Sequence, residues 1–273
     1  MPLDSRRING PPESFPVSNF GGQITQKRLV VTDGRRQDGR KATDVRPIFL
    51  RAGVVSNAKG SAYIETKNTK VICAVYGPRQ VVRREDFKLT GTLKCEFKLT
   101  TFSCKQRQQH QQSVVDKDVS LTLQQALEPA VCLDKYPRAQ IDIFISVLQN
   151  DGGVLGASIT CASVALADAG IDMFDVVVGC TLRQAGEVAI LDPTYEEEYD
   201  SKDEGDNNGS IVVGLLPSMN QISVLIQSGD LDNEVSQQGI RSCIEGCMRT
   251  YPVVRECLVK SVKTMNVGKE KGS

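Results

Sequence analysis

A chain of 273 residues with 40% hydrophobic and 24% charged residues is long enough to bury a substantial core, and its proportions are those of a soluble globular protein. Thirty-three basic residues against 33 acidic ones argue against a dedicated nucleic-acid binder, which normally carries a basic excess. Met1–Arg7 has no apolar leader core and no run approaches a membrane span, so a soluble intracellular protein is expected.

Residues 1–30 hold Pro, Gly, Ser and Asn without apolar periodicity and read as a flexible tail. Residues 31–263 read as a single domain and 264–273 as a charged end. Strands are predicted over 60–64 and 70–76, joined by a Lys67-Asn68-Thr69 turn. Over 91–99, Leu93, Cys95, Phe97 and Leu99 alternate with Thr92, Lys94, Glu96 and Lys98, the pattern of a half-buried strand. A polar loop with Lys105, Arg107 and five glutamines spans 100–113. Asp116 can cap a helix over 117–131, whose Val119, Leu123, Ala126, Leu127 and Ala130 follow the helical period.

Residues 141–148 form a buried strand, Asp151-Gly152-Gly153 a turn, and 155–169 a helix of small residues. Four strands are predicted next, over 174–182, 187–191, 210–216 and 221–226. Residues 195–209 between them read as a solvated acidic loop. A last helix covers 233–251, is broken or kinked at Pro252, and continues over 253–262. Phe102 and Tyr136 are assigned to the core. The order gives an α+β fold of mixed sheets with packed helices.

The nine cysteines, at 73, 95, 104, 132, 161, 180, 243, 247 and 257, include no C-x-x-C and read as reduced core thiols. With His110 the only histidine, no zinc site is expected, and no cofactor or metal is implied.

A glycine turn feeding a helix gathers free N–H groups and the positive end of the helix dipole, and so makes a natural anion cradle. A working phosphate site adds a hydroxyl and a cation; this chain supplies Val154 and Leu155.

The same segment carries a resemblance. Tyr136-Pro137-Arg138-Ala139-Gln140-Ile141-Asp142, the run Val147–Gly153 and Asp168-Ala169-Gly170-Ile171 resemble the RNase PH family of 3′→5′ phosphorolytic exoribonucleases. Asp38-Gly39-Arg40 with Arg46-Pro47-Ile48 looks like its N-terminal signature. Gly60-Ser61-Ala62, Asn68-Thr69-Lys70-Val71 and Tyr76-Gly77-Pro78 match its first hairpin. Within the family, Gly60-Ser61-Ala62-Tyr63, the run Gln125–Val131 and Leu191-Asp192-Pro193-Thr194 are most similar to a non-catalytic ring subunit of the eukaryotic exosome.

The resemblance implies an RNase PH-like fold and a site that would need a Thr or Ser and an Arg after the glycines, and an acidic pair. Val154 and Leu155 stand at the first positions. Asp192 matches one acid, and the second falls near Ser210, with Asp203, Glu204 and Asp206 as nearby alternatives. RNA contacts are implied for Lys105, Arg107, Arg83 and Arg84. The partners implied are related ring subunits, RNA-binding cap proteins and RNA in the ring channel, with no membrane, in nucleus, nucleolus and cytoplasm. Two other readings stand beside it: an active phosphorolytic exoribonuclease using Asp192, and a free-standing RNA-binding module.

Overall fold

The computed structural model describes residues 35–36, 38–81, 89–105, 107–186, 188–199 and 208–270. The tail over 1–30, Arg83, Arg84, Asp203, Glu204 and Asp206 lie outside the described residues.

The first sheet has five strands: β1 Ile48–Ala52, β2 Gly60–Thr66, β3 Thr69–Gln80, β4 Thr92–Leu99 and β5 Ala139–Gln149. Their order is β1-β2-β3-β5-β4, antiparallel except for the parallel pair β4 and β5. The expected alternation on β4 holds, with Leu93 and Phe97 buried and Lys94 and Glu96 exposed. The open edge of β4 is closed at Phe97, whose N–H donates to Ser120 Oγ at 2.9 Å and whose carbonyl accepts from Gln112 Nε2 at 3.0 Å. Side chains thus take the place of a neighbouring strand.

The second sheet, ordered β7-β6-β8-β9, is antiparallel: β6 Val178–Ala185, β7 Val188–Leu191, β8 Asn208–Leu216 and β9 Gln221–Asp230. Three long helices, α1 Val114–Leu127, α2 Val154–Asp168 and α4 Asn233–Glu270, each touch both sheets. They form the middle layer, and the core of Ile, Leu, Val and Ala side chains runs through it. Residues Gly156 to Leu166 of α2 are all buried, as expected of a helix apolar on every side. Close approach depends on a glycine. A Cβ on Gly179 of β6 would stand 2.5 Å from the Gly156 carbonyl oxygen, so α2 can lie against β6 only if that position is bare.

Four local readings are corrected. Helix α1 starts at Val114 with Ser113 as its cap, not Asp116. Asp116 is the third residue of a capping box, its carboxylate accepting from Ser113 N–H at 3.0 Å while its own N–H donates to Ser113 Oγ at 3.1 Å. The α-helix ends at Leu127 because Pro129 has no N–H to continue it, and a 3₁₀ turn, Glu128–Ala130, follows. Residues 174–177 are not strand. The Asp175 carboxylate accepts from Val176 N–H, Ser218 N–H and Ser218 Oγ at 2.7–3.0 Å, which turns the chain before β6. Of the two readings at Pro252 only the break falls away, since α4 is helical on both sides of it.

The fourth correction concerns function. The segment expected to be a solvated acidic loop opens with a short helix, α3 Tyr195–Tyr199, whose Glu197 and Glu198 turn inward.

Candidate functional site: a closed glycine turn

Strand β5 ends at Gln149, and the Asn150 side-chain oxygen accepts from Gly152 N–H at 3.0 Å, which starts the turn. Gly152 and Gly153 have φ of 81° and 62°, a left-handed conformation that favours glycine. A Cβ on Gly152 would also stand 2.5 Å from the Pro193 carbonyl oxygen, and one on Gly153 2.8 Å from an Arg46 guanidinium nitrogen. Two segments distant in sequence therefore press on the turn. Thr69, at the start of β3, fastens it from below: its hydroxyl donates to Gly152 O at 2.9 Å and accepts from Asp151 N–H at 3.1 Å.

Gly153 is the N-cap of α2 and has no side chain to satisfy the N–H groups there. The protein fills that place itself. Glu198 of α3 accepts from Gly153 N–H at 3.0 Å. Burial pushes the Glu198 carboxyl above its usual range, against the opposing pull of the Gly153 N–H and of Arg46 and Arg183 nearby. An internal carboxyl group thus takes the N–H at the head of α2. Val154 and Leu155, partly buried in the first turn of α2, offer neither hydroxyl nor cation.

Asp192 follows β7 with φ of 51°, and its carboxylate is clamped by Arg46. Arg46 Nε and backbone N–H donate to one oxygen at 2.9 and 2.8 Å, and Nη2 donates to the other at 2.6 Å. The same guanidinium donates to the carbonyls of Asp151 and Gly152 at 2.8 and 2.9 Å. With both oxygens of Asp192 held by a cation, the residues present do not fit a divalent ion there. Among the described residues, no group of three or more His, Cys, Asp or Glu side chains is arranged to hold a metal.

A second arginine holds α3. Arg36 donates from Nε to Glu197 Oε1 at 2.9 Å, and from Nη1 and Nη2 to the carbonyls of Leu191 and Asp192 at 2.7 and 2.9 Å. Its Nη2 also pairs with Glu197 Oε2. Burial would raise the Glu197 carboxyl, but Arg36 and the Thr194 N–H outweigh it and hold it below the usual range. Both Arg36 and Arg46 are only 2% exposed, which is tolerable because their donors are engaged by acids and carbonyls.

Ser210 belongs to a different row. It lies on β8 opposite Arg183 of β6, and its hydroxyl pairs with Ser228 Oγ of β9 at 2.7 Å. Asp192 N–H instead meets Thr181 of β6, whose partner on β8 is Val212. The two positions expected to form an acidic pair are thus two strands and two residues apart, and no hydrogen bond links them. Lys105 is tied to the site's rim: its Nζ is 3.4 Å from Glu196 and 4.9 Å from the centre of the Tyr195 ring, both on α3. Arg107 is exposed. Phe102, expected in the core, is 71% exposed.

Arg36, Arg46, Thr69, Glu197 and Glu198 were not singled out by sequence reasoning. One signal for α3 was legible: Thr194-x-x-Glu197 spells a capping box, and Thr194 N–H does donate to Glu197 Oε2 at 2.8 Å.

Residues 44–172 match the model of the 3′ exoribonuclease family, domain 1, RNase PH. The chain is 39% identical to exosome complex component MTR3 of Mus musculus, over 96% of this chain and 97% of that one. The chain belongs to the RNase PH family. Exosome complex component Rrp41 of Pyrococcus horikoshii is also 39% identical, over 85% of this chain and 91% of its own. Among solved structures, rice Rrp46 superposes with a TM-score of 0.72 at 22% identity, covering 82% of this chain and 99% of that one. The Archaeoglobus fulgidus exosome with RNA bound to its active site gives 0.68 at 20% identity, covering 81% and 92%. Both share the fold. No helix among the described residues is long and apolar enough to cross a membrane.

Proposed function

We propose that this chain is a non-catalytic subunit of an exosome ring, helping to form the channel through which RNA is threaded for 3′→5′ processing and decay. The observation that carries the reading is the bond from Gly153 N–H to Glu198. Phosphorolysis needs an inorganic phosphate beside the terminal linkage. Here the turn that would hold it is filled by a carboxylate of the same chain, and Asp192 is held by Arg46. The likeness to exosome components across nearly the full chain supports ring membership. On this reading its partners are related ring subunits, RNA-binding cap proteins and RNA, in nucleus, nucleolus and cytoplasm.

Two measurements test it. The purified chain, given single-stranded RNA with a free 3′-hydroxyl, phosphate and Mg²⁺, should release no nucleoside diphosphates above an Asp192→Ala control. The native assembly isolated from cells should contain this chain with several subunits of the same fold. Diphosphate release would favour an active exoribonuclease using Asp192, and a lone chain in cells would end the ring reading.

A further inference from the structure

The loop after β4 holds a feature that the closed site does not use. Thr100 N–H and Oγ1 both donate to the Val147 carbonyl, at 3.1 and 2.8 Å, which fixes the start of the loop on β5. Ser103, 5% exposed, turns back and donates to Thr100 O from its N–H at 3.0 Å and its hydroxyl at 2.8 Å. Asn150 N–H then donates to Ser103 O at 2.9 Å, so the loop is stitched to the start of the glycine turn. Farther on, Gln108 N–H donates to Thr101 O at 3.2 Å and closes the segment on itself. Within this pinned turn Phe102 faces solvent with 71% of its surface exposed.

An aromatic ring held outward by a bonded turn is not explained by packing. Its described loop neighbours offer no apolar patch to accompany it: Ser103 is buried, and Lys105, Arg107, Gln108, Gln109 and His110 are exposed. The centre of a protein–protein contact is a contiguous apolar area, which is absent from this loop. A single exposed ring in a loop that also carries exposed cations fits an unpaired nucleobase with its phosphates, because every base presents a face that can stack.

The structure assigns Phe102 as a base-stacking contact for single-stranded RNA, placed beside the closed glycine turn and acting with the positive charge of Arg107. The assignment rests on the channel reading above and deepens it: the rim would hold passing RNA by a sequence-tolerant contact, while the turn carries no anion chemistry.

The test uses the intact assembly containing this chain and a single-stranded polyuridine RNA, with affinity measured across a salt series. Phe102→Ala should weaken binding about tenfold at every salt concentration, and Phe102→Trp should restore it. A neutral stack releases no counterions, so the log–log salt slope should not change. Arg107→Glu should instead flatten that slope, by about 0.7 for a single phosphate contact. Unchanged affinity in Phe102→Ala, or failure of Phe102→Trp to rescue, would overturn the assignment and leave the ring reading standing. Loss of the chain from the assembly in Phe102→Ala would show that the ring packs on protein, and would also overturn it. If the unaltered chain enters no such assembly, the channel reading itself fails.

Discussion

The glycine turn and the loop stitched to it are neighbours built from similar groups, yet they treat charge in opposite ways. At the turn, Arg36, Arg46, Asp192, Glu197 and Glu198 all bond within the chain, and both arginines are almost wholly buried. In the loop, Phe102 and Arg107 face water, and Lys105 only leans on α3. The difference teaches where each region's chemistry is spent. Internal bonds occupy the charged groups of the turn, whereas Phe102 and Arg107 of the loop are left facing outward.

The largest expected effect comes from cutting the clamp. Arg46→Ala would leave the Asp192 carboxylate with one backbone N–H and the more distant Arg40, and would take a donor from the carbonyls of Asp151 and Gly152; removing one partner of a buried pair costs about 3–5 kcal/mol. Urea unfolding measures it, with Arg107→Ala as the contrast, expected within about 0.5 kcal/mol of wild type. A loss below about 1 kcal/mol in Arg46→Ala would erase the distinction between the two regions.

The two glutamates of α3 sharpen the comparison through pH. Glu197 has a lowered folded value, so its stabilisation is present above the ordinary glutamate value of 4.5 and is lost as pH falls through the folded one. Replacing it by Gln should weaken the protein at neutral pH and remove part of the acid-side decline. Glu198 has a raised value and the opposite sign. The folded state holds its proton more tightly, so stability falls as pH rises through the window just above 4.5. Glu198→Gln keeps an oxygen to accept from Gly153 and discards the buried charge. It should be as stable as wild type or more so at neutral pH, with that decline gone. Thermal unfolding across a pH series separates the two, and equal responses would contradict the assigned environments.

The smallest effect is expected at Lys105. Its pair with Glu196 is about half exposed on both sides, and such pairs contribute at most about 1 kcal/mol. Lys105→Ala should unfold within that margin of wild type, and a larger loss would move the loop into the structural class of the turn.

The strands were legible because β2, β4, β5 and β3 as far as Tyr76 alternate or run apolar, and pleating turns that pattern directly into burial. That Val154 and Leu155 offer neither hydroxyl nor cation was legible too, since no fold changes the chemistry of an apolar side chain. The clamp was not. Arg46 was quoted as part of a motif, but arginine is ordinarily a surface residue, and nothing local says that its partner is Asp192. Helix α3 was hidden by composition: three consecutive glutamates resemble a solvated loop until Arg36 and Gly153 are placed against two of them. Asp116 was read as the cap because its side chain can cap, as that of Ser113 also can, and only the reciprocal bonds assign the role to Ser113.

The reach of the arginines has a consequence for how the molecule comes to be folded. Arg36 meets Glu197 across 161 residues, and Arg46 meets Asp192 across 146. The cations precede the first sheet and their acids lie between strands of the second, so neither sheet can neutralise its own charges. A partly synthesised chain ending before β7 would have to bury two guanidinium groups without counter-ions or leave its first sheet unsealed. Loop closure over such distances adds little to stability's cost but delays the contact until both sheets exist. The charges thus act as a checkpoint on completeness: the amino-terminal sheet should lock only after the carboxyl-terminal one has docked, and the two should melt in a single transition.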